Sequence, residues 1–379
     1  MKKFIVILFL CFPMFVRAEE TSLAKNAKSA IMIEASTGEV LFEKNSHEKL
    51  HPASMTKMMS MLLILENIEN GNLSWDEMIT VSENASSMGG SQILLETNEQ
   101  MSVEDLFKGI AIASGNDAVV ALSERIAGSK EEFVSMMNKR AKELGLTDTN
   151  FKNPHGLDDA NHYSSAYDMS LIAKELVKHP KVLEFSSIYE DYLRKGTERE
   201  IWLVNTNKLV RFYEGVDGLK TGYTKEAGYC LTATAEKNGM RIITVVMGEE
   251  DSKTRNKETT EMLNYAFSKY ELETLLTKES SLGKITIDKT LDDTVTLVPK
   301  ENITSLNKRG QKKKNLTYKV DVNELKAPIK RGDKVGKLKI NEDGKHVRTI
   351  DITVNKDVKP ANYIELYYIY LRNILTGKI

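Results

Sequence analysis

Met55, Met58, Met59, Leu62 and Leu63 recur at helical spacing along "HPASMTKMMSMLLILENI" (residues 51–68), and Met61 and Leu65 cover much of the remaining cylinder. This pattern predicts a helix buried nearly all round. Lys57 sits inside it. The positions three and four residues to either side hold Ser54, Ala53, Ser60 and Met61, so no carboxylate stands one turn away to pair with the ammonium. Two alternating stretches, "SAIMIEASTGEVLFEKN" around Thr37-Gly38 and "YCLTATAEKNGMRIITVVMG" around Asn238-Gly239, predict hairpins, with helical patterns between them. Early and late strands separated by helices imply an α+β fold with an antiparallel sheet.

The pattern changes near Leu276, where helical signals stop. "KITI", "TVTLV", "YKVDV", "VGKLKI" and "VRTIDITV" alternate with Gly-, Asp- and Lys-rich turns. That reads as a small all-β domain of about 80 residues. The last stretch, "ANYIELYYIYLRNILTGKI", puts Tyr363, Leu366, Tyr367, Tyr370, Leu371 and Ile374 on one helical face and Asn362, Glu365, Arg372 and Thr376 opposite. Tyrosine pairs an apolar body with a polar tip, which suits the lipid headgroup level. An amphipathic helix lying on a membrane surface is therefore expected, with a helix docked on the protein's own core as the alternative.

At the other end, Lys2 and Lys3, an apolar run from Phe4 to Phe15, and Val16-Arg17-Ala18 before Glu19 have the form of a secretory signal peptide over residues 1–18. The run is short for a retained membrane anchor, and Leu10 before Cys11 disfavours a lipoprotein signal. With 41% hydrophobic and 28% charged residues, the 379-residue chain is globular and long enough for two domains. Removing residues 1–18 takes away three cations and Cys11, moving the net charge from -1 to -4 and leaving Cys230 as the lone cysteine. An internal disulfide is then excluded, and Cys230, inside the apolar "YCLTATA", reads as a small core hydrophobe.

The unpaired Lys57 has a chemical use. Ser54, three residues earlier, shares its helical face, and a lysine buried without a carboxylate has the lowered pKa that lets a neutral amine take a serine proton. Ser-x-x-Lys alone is common here, starting at Ser22, Ser46, Ser54, Ser281 and Ser305, but only Ser54 opens a long apolar helix. Two further stretches stand out. Ser114-Gly115-Asn116 lies between two helical patterns, where Asn116 or Asp117 would serve as an ordinary helix cap. Lys220-Thr221-Gly222 begins a strand, readable as a charged edge, in which Gly222 would let a ligand approach the backbone. The six histidines show no H-E-x-x-H spacing, which disfavours a zinc peptidase.

Ser-x-x-Lys, Ser-x-Asn and Lys-Thr-Gly in that order resemble the motif set of penicillin-binding proteins and class A β-lactamases. The strings "HPASMTKMM", "ASGNDA" and "GVDGLKTGYTKEAGYC" look specifically like the low-molecular-mass D-alanyl-D-alanine carboxypeptidases. The resemblance implies a penicillin-binding-protein-like catalytic domain (19–275), a β-rich domain (276–359) and an amphipathic anchor helix (360–379). It implies Ser54 as acylated nucleophile, Lys57 as its base, and Ser114 and Asn116 as proton relay and peptide ligand. Lys220, Thr221 and Gly222 would bind substrate, with Tyr223 lending its amide, beside that of Ser54, to an oxyanion hole. Arg255 falls where the family has a carboxylate-binding arginine, the alternative being a solvated surface charge. His155, in "NPHGLDD", resembles a structural loop residue.

The implied reaction releases the terminal D-alanine of the peptidoglycan stem peptide and needs no cofactor and no metal. Implied partners are that peptide, β-lactams as covalent inhibitors and, through the C-terminal helix, the outer face of the cytoplasmic membrane; nucleic acid is not among them. No E-x-x-L-N string between Asn116 and Lys220 supplies the deacylating glutamate of a class A β-lactamase. A transpeptidase or endopeptidase would use the same acyl-enzyme with a different acceptor, and a wall-binding scaffold would carry the site only as a vestige. The lysine-rich segments 307–315 and 326–339 suit either an anionic lipid or wall polymer or, more simply, a solvated loop and charged edge strands.

Overall fold

The computed structural model describes residues 22–290, 294–375 and 377, so the signal-peptide reading of residues 1–18 and Thr376 lie outside the described residues. Strands β1 (Ser29–Glu34), β2 (Val40–Lys44), β3 (Val216–Thr224), β4 (Gly228–Lys237) and β5 (Met240–Glu249) form an antiparallel sheet in the order β2-β1-β5-β4-β3. Both expected hairpins are present. In the β4-β5 turn Asn238 and Gly239 both take positive φ, 53° and 75°, which is why this dipeptide joins strands whose right-handed twist favours that turn.

The strands are apolar on both faces because both faces are covered. Ile31, Ile33, Ile243 and Val245 face a core built with α1 (Lys57–Glu69), α2 (Val103–Ala113), α3 (Asn116–Ala127) and α4 (Ala166–Leu176). Ala30, Met32, Ile242 and Val246 alternate to the opposite side, where α5 (Ser252–Lys269) contributes Met262, Leu263 and Ala266. Helix α1 is enclosed as its pattern predicts, every residue from Lys57 to Leu65 being buried. Cys230 is buried in the first core, and burial pushes its thiol up to about 11.

Beyond α5 the chain is β-rich. Strand β6 (Tyr270–Leu276) starts directly where α5 ends, earlier than the change in sequence pattern. Strands β7 (Gly283–Thr286), β8 (Thr294–Pro299), β9 (Ile303–Lys308), β10 (Leu316–Val322), β11 (Gly336–Glu342) and β12 (Lys345–Val354) follow. A sheet in the order β7-β8-β12-β11-β10 encloses its own core of Val295, Leu297, Leu338, Ile340, Ile350 and Ile352, while β6 pairs with β9. The cations of segment 307–315 are largely committed. Arg309 reaches Glu271 at 3.1 Å, Lys313 reaches Glu273 at 2.9 Å, and Lys314 bridges Glu39 and Glu342 at 2.7 and 3.4 Å. Together with Arg348, whose Nη1 donates to Ser36 O at 2.8 Å, Lys314 fastens the β-rich region to the β1-β2 turn.

Helix α6 (Tyr363–Leu375) begins at Asn362, whose side chain accepts from the amides of Ile364 and Glu365 at 3.0 Å. No residue of α6 is buried, and Tyr363 is 93% exposed, so it is not docked on the protein's core. Among the described residues no helix is long and apolar enough to cross a membrane.

One tight passage positions the site. The turn Ala53–Thr56 enters α1 between two glycines: a Cβ on Gly156 would lie 1.9 Å from Ala53 O, and one on Gly222 would lie 2.7 Å from Pro52 O and 3.3 Å from the Ser54 amide nitrogen. Ala53 takes φ 46°, a strained left-handed conformation for a residue with a side chain. Gly156→Ala, which adds both a backbone clash and a side chain at φ 88°, is expected to abolish stable folding. Gly222→Ala should cost about 1–3 kcal/mol, and Gly239→Ala, with nothing within 4 Å, no more than its φ strain, about 1 kcal/mol. Denaturant unfolding of the three variants gives the order, and a Gly156→Ala protein as stable as the parent would contradict it.

Candidate active site

Ser54 lies half-buried in the Ala53–Thr56 turn, and Lys57 is the first residue of α1. The Lys57 Nζ makes three close contacts: Ser54 Oγ at 3.0 Å, Asn116 Oδ1 at 2.6 Å and the His155 carbonyl at 2.7 Å. The Asn116 amide orientation is fixed by its other end, since Nδ2 donates to Gly89 O at 2.7 Å. Two of the three Nζ partners are therefore pure acceptors and must each receive an N–H. A neutral amine has two N–H bonds and one lone pair, and the third partner, the Ser54 hydroxyl, is the one able to donate to that lone pair.

An ammonium would instead donate to all three oxygens, and the electrostatics favour the neutral form. Lys57 has no exposed surface, and burial first, then repulsion from Lys220, hold its pKa well below the usual lysine value, against a smaller attraction from Asp117. Asp117 does not approach Nζ. Its carboxylate is spent on the amides of Ile93, Leu95 and Ala118 at 2.9–3.1 Å. Neither Asn116 nor Asp117 is the helix cap expected from sequence: the cap position of α3 is Gly115, which has no side chain to offer, and both side chains bond across the site instead. Ser114 ends α2 in the left-handed conformation (φ 67°, ψ 30°) usually given to glycine, and its buried hydroxyl has no hydrogen-bond partner among the described residues.

Lys220-Thr221-Gly222 lies in the middle of β3, not at its start, and β3 is an edge strand. Lys220 is enclosed, its Nζ donating to Thr221 O at 3.1 Å, and burial with the nearby Arg255 brings its pKa down to about 7. The Thr221 hydroxyl donates to Thr206 Oγ1 at 2.8 Å. Gly222 is closely approached by the Ala53–Thr56 turn and also lines the cleft described below. Tyr223 is 54% exposed and stacks on Tyr229, its register partner in β4, with ring centroids 4.3 Å apart.

Arg255 is not a solvated surface charge. It is 5% exposed and its nitrogens are held by Asn256 Oδ1 at 2.9 and 3.1 Å and by Cys230 O at 3.5 Å. Among the described residues no carboxylate is within ion-pair distance of it. Asp251 caps α5 through the amides of Lys253 and Thr254 and so fixes the turn that presents Arg255.

Ser54, Ser114, Thr221, Gly222, Tyr223 and Arg255 line one cleft of about 460 Å³, with Lys57, Asn116 and Lys220 buried beneath or beside its walls. All nine residues singled out from sequence thus gather at one place. The cleft also takes Thr206, Tyr229 and Asn256, which no motif announced; the one available signal was the register that sets Tyr229 opposite Tyr223. His155 contributes its carbonyl, while its ring, neutral with a pKa brought down to about 3 chiefly by burial, accepts from the Leu157 amide at 3.2 Å. Among the described residues no group of His, Cys, Asp and Glu side chains has metal-binding geometry.

Against known proteins, residues 16–251 match the D-alanyl-D-alanine carboxypeptidase family, peptidase S11, and residues 270–360 match the C-terminal domain of penicillin-binding protein 5. The chain is 49% identical to the D-alanyl-D-alanine carboxypeptidase DacF of Bacillus subtilis over 91% of its own length and 89% of that protein's. Penicillin-binding protein 5 from Haemophilus influenzae superposes with a TM-score of 0.70 at 32% identity, covering 88% of this chain and 98% of that one. Penicillin-binding protein D2 from Listeria monocytogenes, in an ampicillin-bound form, does so with 0.58 at 34%, covering 64% of this chain and 98% of that one. The fold is that of the low-molecular-mass penicillin-binding proteins. The chain belongs to the D-alanyl-D-alanine carboxypeptidases, serine-type hydrolases of cell-wall metabolism.

Proposed function

We propose that Ser54 is acylated by the peptidoglycan stem pentapeptide, with Lys57 as its base, and that water then releases the shortened peptide. The observation that carries this reading is the Lys57 contact set, two obligate acceptors and one serine hydroxyl around a buried nitrogen. The Ser54 proton passes to Nζ as Oγ attacks the carbonyl between the two D-alanines. The Ser54 and Tyr223 amides, brought together where Gly222 meets the turn, receive the oxyanion. Ser114 relays that proton, giving its own to the departing D-alanine nitrogen as it takes the one held on Nζ, so that Lys57 is neutral again, and Asn116 binds the peptide. Thr221, Lys220 and Arg255 hold the terminal carboxylate, a role suited to buried cations with no carboxylate of their own.

The edge position of β3 supports the peptide assignment, since an extended peptide can add to an edge strand. Ampicillin binding by the Listeria relative extends to this chain as covalent inhibition by β-lactams at Ser54. Export through residues 1–18 places the enzyme on the outer face of the cytoplasmic membrane. There α6 lies on the lipid, and the β-rich region (276–359) sets the catalytic region (19–275) away from the surface.

Intact mass after benzylpenicillin is expected to show one adduct, absent from Ser54→Ala, and a D-Ala-D-Ala peptide to lose D-alanine. Lys57→Ala should fold and yet acylate at least about a hundredfold more slowly, the scale of a lost general base. Rapid acylation of that variant would remove Lys57 from the role, and an adduct without D-alanine release would point to a transpeptidase. In flotation with phospholipid vesicles the full mature chain should rise with lipid and a chain ending at Pro360 should not; equal behaviour of the two would overturn the surface-helix reading.

A further inference from the structure

Part of the cleft wall comes from a segment outside the three motifs. Asn205-Thr206-Asn207 is a turn that its two asparagines fix in place, each 1% exposed. Asn205 donates from Nδ2 to Ser186 O at 2.9 Å and Ile188 O at 2.8 Å, and from its amide to Tyr189 O at 2.7 Å, while its Oδ1 accepts the Asn207 amide at 2.8 Å. Asn207 donates from Nδ2 to Gly218 O at 2.9 Å and accepts the Leu209 amide at 3.1 Å. The Thr206 amide donates to Ile112 O at 3.2 Å. Ile112 lies two residues before Ser114, and Gly218 two before Lys220, so this turn is bonded to the segments that carry both of the later motifs.

Such clamping fixes the one side chain of the turn that reaches the cleft. Thr206 is half-buried, its Oγ1 accepts the Thr221 hydroxyl proton at 2.8 Å, and among the described residues no other group is within hydrogen-bond distance of that oxygen. We propose that Thr206 is a positioning residue for the substrate's terminal carboxylate, acting through Thr221; this rests on the reading of Thr221 as a carboxylate ligand. With the cleft empty, Thr221 donates to Thr206. When a carboxylate arrives, the two hydroxyl rotors turn together, so that Thr206 donates to Thr221 Oγ1 and Thr221 donates to the carboxylate. A donor that is itself receiving a hydrogen bond is polarised and binds the anion more strongly. The two oxygens are already 2.8 Å apart, and because the contact here runs from Thr221 to Thr206, the reversal requires the Thr206 side chain to reorient within its clamped turn.

The test uses two probes on the mature protein, benzylpenicillin with its free carboxylate and benzylpenicillin methyl ester without it, with adduct formation followed by intact mass. Thr206→Val keeps the shape and removes the hydroxyl, and should slow acylation by benzylpenicillin about fivefold to tenfold, the scale of one hydrogen bond to a charged group. Thr206→Ser should largely restore the rate. With the ester, the Val variant and the unaltered protein should acylate at the same rate. Equal slowing with both probes would assign Thr206 a merely structural role, and no slowing with either would remove it from the site; both overturn the inference. Thermal unfolding of each variant detects a collapsed turn, in which case Thr206→Ala replaces Val in the comparison. Failure of the unaltered protein to form any adduct would overturn the acyl-enzyme reading itself, and this inference with it.

Discussion

An ammonium group buried without a counter-ion is expensive, and the site is arranged around that expense. Lys57 is fully enclosed at the base of the core helix α1, Lys220 is enclosed in the neighbouring edge strand, and Arg255 is nearly so. Three cationic groups so close cannot all stay charged in a dry pocket. Enclosure and repulsion from Lys220 hold the Lys57 pKa well below normal, and enclosure with the nearby Arg255 lowers Lys220 as well. Lys220 remains near 7, and Arg255, although lowered, starts from a much higher value. This favours the neutral amine of Lys57 beside a serine hydroxyl, next to positive groups that have no ion-paired carboxylate among the described residues. The two proposed roles, a base and an anion receptor, thus follow from one constraint.

The surrounding structure protects that arrangement. The loop from Asn153 to Leu157 closes over the start of α1, with Asn153 Oδ1 accepting the Gly156 amide at 2.6 Å and Nδ2 donating to Leu157 O at 2.9 Å. This presents the His155 carbonyl to Lys57 and sets Gly156 against Ala53. On the other side Gly222 lets β3 touch the same turn. His162, neutral with a pKa of about 4, accepts the Lys152 amide at Nδ1, so its Nε2–H donates to Thr56 Oγ1 at 2.7 Å. The Ser54 turn is held by backbone contacts from two elements distant in sequence, which is why glycines, with no side chain to interpose, occur at both.

Much of this was legible in the sequence, for identifiable reasons. The α1 pattern exposed Lys57 because a charged residue inside a run of methionines and leucines conflicts with its surroundings, and such conflicts mark functional sites. Asn238-Gly239 and Thr37-Gly38 fixed two hairpins because turn chemistry is local. What stayed hidden was long-range or backbone-based. The His155 carbonyl has no side-chain signature, and the clamp around Thr206 joins residues 112, 186 and 218. Strand β6 escaped notice because it follows α5 without a turn residue. The simpler reading of Asn116 or Asp117 as a helix cap does not hold, because local propensity is overridden by partners across the site, Lys57 for one and the Ile93 and Leu95 amides for the other.

The central claim is that Lys57 is neutral in the free enzyme, and its side chain can be observed directly. With lysine labelled at Cε and Nζ, and Lys57→Arg used to assign the resonance, NMR titration follows the protonation state with pH. A folded value below the ordinary 10.5 means that the native state binds fewer protons than the unfolded chain across the interval between them. Lys57 is therefore expected to lose its proton well below the ordinary lysine range. A Lys57 signal that stays charged through pH 9 and titrates near 10 would contradict it.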